Sequence, residues 1–157
     1  MEQQVEHESL KEEMDTTVGE ARMVIPGVQA LFGFQTMAVF NNRFEQLPAS
    51  GVVCYIAGLV MLALALALLM APAAYHRIVE QGRVSRHMTH LASRFITAGM
   101  VPLMIGLSLD VYVVCLVALD DARIALAAGL FALTLFAFFW FAFPLLQRSR
   151  PGAHDAL

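Results

Sequence analysis

The sequence predicts an all-α membrane protein, a four-transmembrane-helix, up-down-up-down bundle with both termini in the cytoplasm. Three observations predict it. The chain of 157 residues is 59% apolar and only 15% charged, against ~45–50% and ~25% in an average soluble domain. Its apolar residues collect into four long runs joined by short polar connections. Its basic residues fall almost wholly on one side of those runs.

The elements follow in order. Residues 1–19 hold most of an acidic cluster: seven of the thirteen carboxylates (Glu2, Glu6, Glu8, Glu12, Glu13, Asp15 and Glu20) lie in the first twenty positions. A secretory signal needs a basic start followed directly by an apolar run, so this segment reads as a solvated cytoplasmic tail. The net charge of −3 comes from it and not from any partner surface. A transmembrane domain is expected over 20–147, with helices at about 20–46, 50–76, 84–119 and 122–147. Spanning a bilayer takes about 20 apolar residues in a helix, because hydrocarbon offers backbone groups no hydrogen-bond partner. Gly51–Ala74 and Ile124–Leu146 meet this without a single charge, and Phe95–Leu119 meets it with Asp110 as its one charge. Met23–Phe40 is the weakest run; it contains Gln29 and Gln35 but no charge. It is taken as a span because three crossings would leave the termini on opposite sides.

The connections fit. Asn41–Ser50 forms a short outer turn in which Pro48 is expected to stop the first helix. His76–Arg94 forms the basic inner connection, with Gly82 as its expected hinge, and Leu119–Ala122 forms a tight acidic turn. Residues 148–157 form a second cytoplasmic tail. Lysine and arginine in short loops mark the cytoplasmic face. With the N-terminus inside, Lys11, Arg22, Arg77, Arg83, Arg86, Arg94, Arg148 and Arg150 are cytoplasmic, and only Arg43 and Arg123 fall outside. Small residues recur at contact spacing in Ala63/Ala67, Gly99/Gly106, Ala125/Gly129 and Ala128/Ala132, as close helix approach in lipid requires.

Asp110 is the most informative residue. A third helix ending at Leu119 places it about 13 Å from the outer end, near the middle of a roughly 30 Å core. An ionised carboxylate there costs at least about 2.5–3.5 kcal/mol, so it must be protonated, paired or facing water. One reading makes it a proton- or cation-handling group; the other ends the span near Asp110 and lays Val111–Leu119 along the interface. Gln35 lies at a similar depth, within reach of a hydrogen bond to Asp110. Such interhelical bonds are worth about 0.6 kcal/mol on average, so Gln35 and Gln29 read first as structural glue and second as lining of a path. Pro26, Gly27 and Pro102 expose carbonyls inside spans, a weak sign of ion binding. The inner cluster of His76, Arg77, Arg83, Arg86, His87, His90 and Arg94 suits anionic lipid head groups; its arginines argue against a metal at His87 and His90. Glu20 is expected to pair with Arg94 or Arg77 and set helix register. Cys54 and Cys115 lie in apolar runs and read as small hydrophobes. Trp140 and its neighbouring phenylalanines make the fourth helix aromatic all round, for lipid or a partner.

The run Glu20–Gln35 (EARMVIPGVQALFGFQ), with Ala71–Arg77 (APAAYHR), resembles a family of small bacterial four-helix membrane proteins of unknown function. The likeness spans most of residues 20–146 and implies the bacterial cytoplasmic membrane, with no catalytic or binding residues attached.

No nucleophile elbow, phosphate loop or metalloprotease motif is present, and scattered basic residues make no stripe for nucleic acid. No catalytic residue, metal or cofactor is expected. The first reading is a non-enzymatic interaction or accessory module that forms a homo-oligomer or joins another membrane partner. The alternative is a small oligomeric ion or proton channel or transporter lined by Asp110, Gln35 and Gln29. A metal- or haem-binding membrane enzyme using His76, His87 and His90 comes third.

Overall fold

The apolar runs form helices in the computed structural model, which describes residues 19, 23–37, 39–40, 44–75, 77–78 and 86–148. No strand occurs among the described residues. The helices are α1 (residues 23–37), α2 (Ala49–Tyr75), α3 (Arg86–Leu119), α4 (Ala122–Ala137) and a short α5 (Phe143–Arg148), the last two joined by a π-helical turn over Phe138–Ala142. Among the described residues, three stretches are long and apolar enough to cross a membrane: Ala49–Tyr75, His90–Leu119 and Ala122–Arg148. The chain is therefore a multi-pass membrane protein. Residues 1–18 of the acidic tail, the Gly82 hinge and residues 149–157 of the C-terminal tail expected above lie outside the described residues.

The ends of the helices follow from local chemistry. The described helix α1 gives way to a turn at Val39–Phe40, where the Phe40 N–H donates to the Met37 carbonyl at 3.2 Å. A single 3-10 turn, Phe44–Gln46, precedes α2. Pro48 does not stop the first helix, as the sequence suggests; it stands just before α2, and its carbonyl accepts from Val52 N–H at 3.1 Å. Proline suits this place because the first N–H groups of a helix have no intrahelical partner to lose.

The acidic turn between α3 and α4 divides its two carboxylates between two tasks. Asp120 follows the last residue of α3 with φ of +52°, the left-handed conformation in which aspartate is better tolerated than most residues. Asp121 caps α4: its carboxylate accepts from Arg123 N–H at 2.8 Å and Ile124 N–H at 3.3 Å. Asp121→Ala leaves both donors without this acceptor and is expected to cost about 1 kcal/mol, with Asp121→Asn close to wild type; thermal unfolding in micelles checks both.

Farther along, Pro144 has no N–H, and its ring crowds the carbonyl four residues earlier. The helix widens just before it, and Phe143 N–H reaches the carbonyl of Phe138, five residues back. Phe136 and Trp140 stack obliquely at 5.1 Å, and Phe138 meets Phe139 edge-on at 5.3 Å.

The chain packs as two compact units. The first lies within Met1–Gln46 and Leu59–Leu103. Leu62, Ala65 and Leu69 form the buried stripe of α2 there, and Gly99 on α3 comes so close that a Cβ would stand 3.3 Å from Leu69 Cγ. Ala63 and Ala67 face outward; the packing stripe runs through their larger neighbours instead. The second unit lies within Leu47–Gly58 and Met104–Leu157. Its buried residues include Tyr55, Val113, Leu116 and Ala125. A Cβ on Gly51 would lie 3.1 Å from Leu116 Cδ2, so the first turn of α2 rests against the last turns of α3. Gly129 of α4 sits against α3, where a Cβ would meet Tyr112 Cβ at 3.0 Å and the Ser108 carbonyl at 3.2 Å.

Candidate functional site

Polar groups on an apolar helix need partners, and several among the described residues find them on their own helix. Thr36, Thr97, Ser108 and Thr134 each donate to the carbonyl four residues earlier, at 2.8–2.9 Å. Such back-bonding satisfies the hydroxyl proton on its own helix and leaves only the oxygen's acceptor sites for any other partner. The side chains that stand out against this background are Asp110, Tyr55 and Gln35.

Asp110 is half-buried on α3, which runs through it without interruption to Leu119. The nine residues between put it about 13 Å along the helix from that end. Tyr55, only 5% exposed, lies six residues into α2 and within electrostatic range of Asp110. Six residues correspond to about 9 Å from the start of α2, so both groups stand a few turns inside the same end of the second unit. A tyrosine in an apolar run carries no special signal alone; its depth, matched to that of Asp110, is what marks it.

The two glutamines stand on different faces of α1. Gln35 is buried, two turns from buried Val28, whereas Gln29 is exposed. Six residues correspond to about 240° of rotation around a helix, so one face cannot present both. Of the basic cluster, Arg77, His90 and Arg94 are exposed. Arg86 and His87 belong to the first turn of α3, while His76, Arg83 and the Glu20 partner expected for Arg94 lie outside the described residues. No group of three or more metal-ligating side chains gathers among the described residues.

The second unit also contains a half-open cleft of ≈290 Å³. Cys54 contributes from α2, and Ile105, Ser108 and Tyr112 contribute from α3. Leu126, Gly129, Leu130 and Leu133 supply the α4 side. The Ser108 hydroxyl is already bonded to Met104, so the wall is apolar in effect. Cys54 and Cys115 are both free thiols, half-buried, and only Cys54 reaches the cleft.

The sequence model of a family of unknown function, DUF6328, matches residues 3–144. The match agrees with the resemblance carried by residues 20–35 and 71–77, and it takes in the acidic tail, which that resemblance left outside. No curated protein and no solved structure matches the chain.

Proposed function

The chain belongs to DUF6328, a family of unknown function, and from that premise we propose that it is a non-enzymatic interaction module of the bacterial cytoplasmic membrane. In this reading it crosses four times, keeps both termini inside and works by joining copies of itself or a larger membrane complex. The observation that carries it is the surface of α4 and α5. Of the three long spans this one is the least enclosed, 17% buried against 28% and 33%. It presents Phe131, Phe138, Phe139 and Phe143 outward, around the π-helical turn. Large rigid rings at a break in helix geometry give a packing surface with shape, and packing is what drives helix association in lipid.

The fourth crossing is supported by the distribution of residues on α1. Its exposed side chains include Met23, Leu31, Phe34 and Met37, while Gln35 is buried. Apart from exposed Gln29, apolar groups outward and the Gln35 amide inward suit hydrocarbon and are the reverse of a helix in water. Exposed Arg77, His90 and Arg94 suit the anionic head groups of the inner leaflet.

Replacing Phe138, Phe139 and Phe143 together by alanine tests the module reading. The expected result is loss of the oligomer to the 17.2 kDa chain in nanodiscs, with helical content retained. An unchanged oligomer would remove α4 and α5 from the interface.

Asp110 beside Tyr55 favours a second reading, an oligomeric proton or cation path. Asp110→Asn keeps the shape and removes the charge. Under the module reading, liposomes carrying either form show the same background permeability; a wild-type proton flux that the substitution abolishes establishes the path.

A further inference from the structure

We propose that the cleft of the second unit is a binding site for one acyl chain of a membrane phospholipid. All three of its walls belong to stretches apolar enough to cross a membrane. Its residues start five positions into α2 and four into α4, and reach seven from the end of α3. The cleft therefore begins about 6–10 Å below the ends of the helices and runs inward. Its exposed rim, Leu126 and Leu130, opens sideways from α4, and its floor is buried Ser108 and Gly129. A mouth at that depth opens on hydrocarbon, and the bilayer itself supplies the occupant.

Water is a poor alternative. A buried water needs two to four polar partners, and this almost wholly apolar lining offers too few, since the Ser108 hydroxyl already donates to Met104 and keeps only acceptor sites. A half-open cleft of ≈290 Å³ is at the small end of ligand sites, room for a segment of one chain. Gly129 is what shapes it. Without a side chain there, α4 approaches Tyr112 closely and leaves a notch between Leu126 and Leu133. A flexible chain lying in that notch gains dispersion contacts on three sides that an annular lipid on a convex helix lacks.

The test uses the full chain in vesicles of phosphatidylethanolamine and phosphatidylglycerol, doped with a phosphatidylcholine that carries a diazirine midway along one acyl chain. After illumination, adducts should concentrate on the segments 105–112 and 126–133, and Leu133→Trp, which fills the notch, should lose them while labelling elsewhere persists. Adducts spread evenly over outward residues such as Phe138, Phe139 and Leu145 would overturn the site. A second readout needs no substitution. In lipid-depleted micelles, adding phospholipid should slow alkylation of Cys54 several-fold and leave Cys115 unchanged. Equal change at both thiols, or at neither, counts against the site.

Discussion

Gly129→Leu is expected to destabilise the second unit by about 1–3 kcal/mol, the usual cost of forcing extra methylenes into a packed contact. The glycine lies where α4 meets α3. A Cβ alone would come within 3.0 Å of Tyr112 Cβ and 3.2 Å of the Ser108 carbonyl oxygen. The second of these is backbone, held by the hydrogen bonds of α3, and cannot swing aside. Two opposing terms act on Gly129→Ala: it gains up to about 1 kcal/mol of helix propensity and loses a similar amount to crowding, so its net effect should be small. Leucine adds branches that have no space on the α3 side, and the two helices must separate. Ala127 is exposed two residues away, so Ala127→Leu is the control and should stay near wild type. Thermal unfolding in micelles orders the three variants. Equal stability of Gly129→Leu and Ala127→Leu would mean that the close approach of α3 and α4 contributes nothing.

The second large effect is one of sidedness. A phosphatase reporter that works only outside the cytoplasm should be silent when fused to either end of the chain and active when inserted beside Arg43. A fluorescent reporter that folds only inside should give the complementary pattern. The reason is electrostatic: with four crossings and the N-terminus inside, eight basic residues fall on the cytoplasmic face and two on the other. If α1 lay along the surface instead of crossing, the N-terminal tail would sit on the side of the α3–α4 turn, and the N-terminal phosphatase fusion would be active. The same experiment thus separates four crossings from three.

The three long spans were legible because lipid leaves the backbone so few options. Runs such as Gly51–Ala74 and Ile124–Leu146 have no charge to place in water and no alternative to helix. The acidic turn was equally plain as a break between two apolar runs, though the separate tasks of Asp120 and Asp121 depend on backbone angles that spacing does not reveal. Periodicity says that one face of a helix is small; it does not say what opposes it. Hence Gly99 and Gly129 stand at close contacts, whereas Ala63 and Ala67, with the same spacing logic, face outward. Tyr55 and Asp110 come from distant parts of the chain, and only tertiary packing brings the phenol within range of the carboxylate. The π-helical turn could have been anticipated from Pro144, a proline well inside an apolar run whose missing N–H must change the local hydrogen-bond pattern.

The most direct measurement is the mass of the wild-type protein in nanodiscs, determined on the same preparation used for proton and ion flux in liposomes. The module reading predicts a multiple of the 17.2 kDa chain and no flux above protein-free vesicles. A 17.2 kDa monomer that binds no partner, or an oligomer whose flux depends on Asp110, would contradict it.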